Sequence, residues 1–173
     1  MNCQLKRIIE SEPFRRTQTR IMLHLFARAL DVEAPRCPNT STDALKVFAV
    51  FTMNCAQAAT SHGFESANPL RNELYREALK CGQVIRALPI VRKLDALELV
   101  QVLYRNIGIR LDGELPGEIR IAPCYFSRYY TPHECWFMSG FDQGIIEGIT
   151  GTGTLAFASC ITEGAPCCRA TFS

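Results

Sequence analysis

The feature that most constrains this chain is a change of hydrophobic period near Gly108. Before it, apolar residues recur at three- and four-residue spacing, the repeat of helices packed on a core. After it, Ile109, Leu111, Ile119 and Ile121 alternate with polar residues, the repeat of strands with one buried face. A chain that runs helices first and strands second belongs to the α+β class.

Residues 13 to 30 read as an amphipathic helix, with Pro13 in the first turn and Phe14, Ile21, Met22, Leu25, Phe26 and Ala29 as its stripe. Residues 42 to 60 carry apolar groups nearly all round, which predicts a central, buried helix with Cys55 as a small core group. A third helix is predicted from Asn68-Pro69 to Leu88, along Leu70, Leu74, Ala78, Cys81 and Ile85. A fourth runs through Leu94, Leu97, Val100, Leu103, Tyr104 and Ile107, with Gly108 closing it. A hairpin follows, over 107–111 and 118–122.

The strongest helix signal spans residues 131 to 149. Thr131, Pro132 and Glu134 stand where a capping box places them, and Gly151 stands at the far end. Strands over 154–162 and 167–172 complete the chain, separated by a turn at Glu163–Pro166. The expected architecture is α+β: four N-terminal helices packed on a small antiparallel sheet, with one helix inserted between two hairpins. All 173 residues are expected to form one domain, helical to about 108 and sheet-and-helix from about 109.

Composition narrows the function classes. The net charge is +2, from 19 basic and 17 acidic residues, too small a surplus to point to nucleic acid. The basic residues Lys6, Arg7, Arg15, Arg16, Arg20 and Arg28 are spaced along helices and read as a solvated face. No apolar run is long enough for a signal peptide or a membrane span, so the cytoplasm is the expected location and no membrane partner is expected. A small molecule is the expected ligand, and a homodimer stays open. Nine cysteines, an odd number, fit reduced thiols better than a disulfide scaffold.

The residues able to carry chemistry lie after Gly108. Gly140, Gly144 and Gly148 share one face of the capped helix, which predicts close approach of a neighbouring element or of a ligand. Cys135 and Asp142 lie two turns apart on another side, with the apolar Met138 and Ile146. A carboxylate on such a face must be hydrogen-bonded, paired or shifted toward protonation, so Asp142 is either a site residue or a structural hydrogen-bonding group. His133, in the first turn, is expected at the surface. Cys160, Cys167 and Cys168 flank the last turn. With His133 they could supply zinc ligands, but Cys167 and Cys168 face opposite ways on a strand, so no metal, cofactor or disulfide is expected. Glu163 in that turn is either a general base or a solvated turn residue. There is no phosphate loop, no HExxH and no GxSxG, and Gly151-Thr152-Gly153-Thr154 follows a helix where a dinucleotide fingerprint follows a strand.

Several short stretches carry a family resemblance. Cys124-Tyr125-Phe126-Ser127, Thr131-Pro132-His133-Glu134-Cys135, Phe141-Asp142-Gln143-Gly144, the run from Gly151 to Phe157, Ile161-Thr162-Glu163-Gly164 and Cys168-Arg169 resemble the L-2-amino-thiazoline-4-carboxylic acid hydrolases. The ending also resembles the 4-vinyl-reductase-type small-molecule-binding domains. The resemblance covers roughly residues 108 to 172. It implies hydrolytic opening of a cyclic amidine carboxylate, in which Asp142 holds the amidine and Cys135 or Cys168 attacks. Glu163 would be the base, and Arg128 or Arg169 would hold the substrate carboxylate. The alternative is a non-catalytic sensor or carrier domain, favoured by the lack of a recognisable nucleophile and base pair.

A single domain predicts that limited proteolysis leaves one resistant core of nearly full length. Early release of a stable fragment by cutting near Gly108 would show two domains instead.

Overall fold

The computed structural model describes residues 3–89, 91 and 94–173. Helices α1 (Cys3–Ile9), α2 (Glu12–Ala29), α3 (Ser41–Thr60), α4 (Phe64–Ala87) and α5 (Ala96–Asn106) precede strands β1 (Ile109–Gly113) and β2 (Gly117–Cys124). A 3₁₀ turn over Tyr125–Arg128 leads into α6 (Pro132–Thr150). Strand β3 (Leu155–Ser159), a second 3₁₀ turn over Ile161–Glu163, and β4 (Cys168–Phe172) follow. The fold is α+β, as the change of period predicts. The two hairpins merge through β2 and β4 into one antiparallel sheet of order β1-β2-β4-β3.

Register follows from which residues must be buried. Leu111 pairs with Ile121, Ile119 with Ala170, and Leu155 with Phe172, and all six are core residues. Arg110, Asp112, Glu118, Arg120 and Arg169 alternate with them on the exposed face. A one-residue slip would exchange the two sets, so the pattern pins the register. The buried face turns toward α5 and α6, and α6 packs along α4 and α3.

Local signals explain most boundaries. Thr40 Oγ1 accepts the Asp43 N–H at 3.1 Å and Asp95 the Glu98 N–H at 3.0 Å, which caps α3 and α5. Gly108 follows α5 at φ +74 and Gly151 closes α6 at φ +78, both in the left-handed region. At the start of α6 the predicted capping box is present. The Glu134 carboxylate takes the Thr131 N–H at 2.6 Å, and the Thr131 hydroxyl, facing the Glu134 backbone, also donates to that carboxylate.

Four expectations need correcting. A short helix, α1, precedes the predicted four. It is held from a distance, by the Asn106 side chain donating to the Ile9 carbonyl at 2.9 Å. Helix α4 starts four residues before Asn68, and Pro69 lies inside it. The added turn is fixed by Ala67, fully buried, and by Phe64, whose ring sits 4.6 Å from Trp136 and 4.8 Å from His133. Strand β3 ends at Ser159, after a register shift, and residues 161–163 turn away from the sheet. The helix buried most completely is α6, not α3.

Helix α6 is buried because it meets α4 backbone to backbone. A Cβ added at Gly144 would lie 2.4 Å from the Tyr75 carbonyl oxygen, one at Gly148 2.4 Å from that of Leu79, and one at Gly82 2.6 Å from that of Ile145. The glycine face is therefore a packing face. Arg71 spans the seam, donating to the Trp136 carbonyl at 3.1 Å, Ser139 Oγ at 2.9 Å and Gln143 Oε1 at 2.7 Å. Glu147 accepts from Tyr75 at 2.6 Å and from the Leu155 N–H at 2.8 Å, while Gln143 donates to the Leu155 carbonyl at 2.7 Å. Two side chains of α6 thus pin both backbone groups at the start of β3. Among the described residues, no helix is long and apolar enough to cross a membrane.

In an ordinary helix interior, glycine to alanine gains about 1 kcal/mol. Here Gly144→Ala is expected to lose about 3 kcal/mol or more, because backbone atoms cannot yield. Urea unfolding measures this, and an unchanged or raised midpoint would show that the two helices do not touch at Gly144.

Candidate functional site

The side of α6 away from the glycines closes a cavity. Cys135, Met138 and Asp142 recur at three and four residues, so they share a face, and all three line the space. The cavity measures about 60 Å³. Phe48 of α3 and Ile109 of β1 form part of its wall. Cys124 at the end of β2, Thr162 in the second 3₁₀ turn and Cys168 of β4 join its polar and thiol lining, with Ser127 and Tyr130 between β2 and α6. The early end of β3 is what puts Thr162 there.

Among the described residues, Asp142 is the one carboxylate in this lining, and no Lys, Arg or His accompanies it. Its Oδ1 accepts a hydrogen bond from the Tyr104 hydroxyl at 2.8 Å. Burial pushes its pKa up to about 6, and the bond from Tyr104 only partly opposes this. Tyr104 is itself held well above the ordinary tyrosine value, by burial first and by the Asp142 charge second, so it stays a donor. The Thr162 hydroxyl is buried without a hydrogen-bond partner, although it lies beside the Cys135 thiol. A buried hydroxyl without a partner is uncommon in a folded protein, which singles out Thr162 within the lining.

The thiols cluster. Cys135, Cys160 and Cys168 interact with one another, and Cys124 joins Asp142 and Cys168. Burial raises all four, Cys124 to about 12. They are therefore protonated at neutral pH, whereas a nucleophile or a metal ligand needs the thiolate. The eight cysteines whose side chains are described are free. Cys168 is buried and the other seven are partly exposed, including Cys55, for which the sequence predicts a core position. Among the described residues, no group of three His, Cys, Asp or Glu side chains is placed to hold a metal ion.

Of the residues singled out from sequence, the structure brings Cys135, Asp142 and Cys168 to one cavity and leaves Glu163, Arg128 and Arg169 outside its lining. Glu163 is exposed and accepts the Cys160 N–H at 3.2 Å, closing its own turn. The Arg128 guanidinium stacks 3.8 Å over the Tyr125 ring at the surface. Arg169 pairs in register with Arg120 on the outer face of the sheet, opposite to Cys168. Of the two adjacent cysteines, Cys168 lines the cavity and Cys167 does not. His133 is exposed and packs against Phe64.

Tyr104 and Thr162 are the partners that sequence reading passes over. Tyr104 fits the apolar stripe of α5, and its real role depends on a residue 38 positions away. The usable signal is that a buried tyrosine hydroxyl needs an acceptor.

Helices and sheet together form an α+β fold with a small cavity beneath α6. No family model matches the chain, and no curated protein matches it. Among solved structures, a vinyl-4-reductase family protein from Methanocaldococcus jannaschii aligns over 89% of this chain and 92% of that one, with a TM-score of 0.43 at 14% identity.

The raised pKa of Asp142 has a consequence for stability. The folded chain binds this proton more tightly than the unfolded one, so stability contributed by the protonated form is lost as pH rises through about 6. Asp142→Asn keeps an acceptor for Tyr104 and removes the charging cost. It is expected to stabilise the protein at pH 7.5 by on the order of 1–3 kcal/mol and to change little at pH 4. Thermal melts across that range test this. A variant less stable than the parent at pH 7.5 would mean that the carboxylate is compensated by a charge.

Proposed function

We propose that this chain is a small-molecule-binding domain whose site is the cavity beneath α6. The observation that carries the reading is Asp142: a carboxylate facing an apolar cavity, with one hydrogen bond and no counter-charge. Packing alone would favour an apolar residue there, and departures of this kind concentrate at functional sites.

A hydrolase acting on a cyclic amidine carboxylate is the second reading, and the meeting of Cys135, Cys168 and Asp142 at one cavity supports it. Three features weigh on the other side. The thiols are protonated, Glu163 lies outside the lining, and no basic residue of the lining would receive a substrate carboxylate. Size weighs the same way, because about 60 Å³ is under half of the roughly 150 Å³ cavity that admits benzene.

Thermal shift against a panel of small metabolites tests the first reading. A ligand at a hundred times its Kd is expected to stabilise the fold by about 2.7 kcal/mol. Incubation with 2-aminothiazoline-4-carboxylate tests the second, with no ring opening expected. Turnover that disappears in Cys135→Ala or Cys168→Ala would overturn the binding-only reading.

A further inference from the structure

The cavity constrains its occupant by charge, by hydrogen bonding and by size. The titratable groups that interact with Asp142 come from four elements and one link: Tyr104 on α5, Cys124 on β2, Tyr130 before α6, Cys135 on α6 itself, and Cys168 on β4. Each is a phenol or a thiol held above its ordinary value, so each is neutral at neutral pH. Among the described residues that line the cavity, none is a cation that could pair with Asp142. Among the described residues, Tyr104, on Oδ1, is the one side-chain donor to Asp142. The Tyr130 hydroxyl is already engaged with Thr52 at 2.6 Å, whereas the Thr162 hydroxyl in the lining is buried without a hydrogen-bond partner.

A ligand that satisfies these atoms brings an N–H or O–H donor to Asp142 and a hydrogen-bonding group to Thr162, whose hydroxyl can donate or accept. An anion is disfavoured, because nothing basic lines the space and a second negative charge would face Asp142 across a poorly polarisable interior. A neutral donor would satisfy the hydrogen bonds but leave a buried carboxylate uncompensated. A cation satisfies both conditions. The volume, well below what benzene needs, limits the enclosed part to a few heavy atoms.

Resting on the binding reading above, we infer that the occupant of this cavity is a compact organic cation, an ammonium or amidinium group, held by Asp142 and by the hydroxyl of Thr162. An amidinium suits the pair well, since its planar fork of N–H groups can meet a carboxylate oxygen on one side and a hydroxyl on the other. The cationic head lies within, and any larger remainder of the molecule extends toward the cavity mouth.

Binding is then linked to the proton on Asp142. The carboxylate form binds and the carboxylic acid does not, so affinity is retained at neutral pH and lost as pH falls through about 6. Methylammonium and acetamidinium are the cationic probes, with acetamide as the neutral counterpart of acetamidinium. Titrations of the full chain, followed by protein NMR, are made at pH 7.5 and pH 5.0. The cations are expected to bind at pH 7.5, about tenfold more weakly at pH 5.0, and not measurably in Asp142→Asn. Thr162→Val is expected to weaken acetamidinium several-fold while leaving the pH dependence in place. Acetamide binding as tightly as acetamidinium, or cation binding indifferent to pH and to Asp142→Asn, would overturn the inference and leave the cavity as a site for neutral ligands. Failure of every probe, charged and neutral, to perturb residues of the cavity would overturn the binding reading as well. The pH comparison uses the unaltered protein, so the result does not depend on the folding of either variant.

Discussion

The contact on which this architecture depends is the one between the backbones of α4 and α6. Side chains normally hold helices 8–10 Å apart. Gly140, Gly144 and Gly148, with Gly82 opposite, let carbonyl oxygens of one helix lie against Cα atoms of the other. Each glycine costs helix propensity, and dense van der Waals contact along the seam offsets that cost. The polar ties follow from this closeness. Arg71 can reach a main-chain carbonyl of α6, and Tyr75 can reach Glu147, because no Cβ intervenes.

That seam also orients the site. With 3.6 residues per turn, Asp142 points roughly opposite to Gly140 and Gly144. Fixing the glycines against α4 therefore aims Cys135, Met138 and Asp142 away from α4, into the space that the sheet and the other helices enclose. Gln143 and Glu147 carry the same placement to β3 by gripping Leu155. From there the chain turns at residues 161–163 and brings Thr162 back to the cavity. Packing on one side of a single helix thus positions chemistry on the other.

Much of the fold was legible in sequence because its determinants are local. Thr131, Pro132, Glu134 and Gly151 bound α6 by their own chemistry, and the alternation around Ile119 and Ile121 announces a half-buried strand. What was hidden depends on distant partners. Helix α1 is tied by Asn106, close to 100 positions away along the chain, and the first turn of α4 by Trp136 and His133. The site divides the same way. Asp142 stands out because a charge on an apolar helix face needs an explanation, and Cys135 shares that face. Tyr104 and Thr162 look like ordinary helix and turn residues until the fold places them beside Asp142 and Cys135. Glu163 and the two arginines show the reverse case: residue types suited to chemistry that the turn and the strand pleat direct to the surface.

The division of α6 into two faces bears on how such a domain can diversify. Its glycine face admits almost no substitution, since any Cβ would strike main chain that cannot move. Its other face meets side chains and empty space, where exchange alters shape and polarity without touching the seam. Descendants of this fold can therefore change what they recognise by drifting at positions 135, 138 and 142 while the scaffold stays fixed, so the variability of α6 across relatives should follow the helical repeat, one side frozen and the other free.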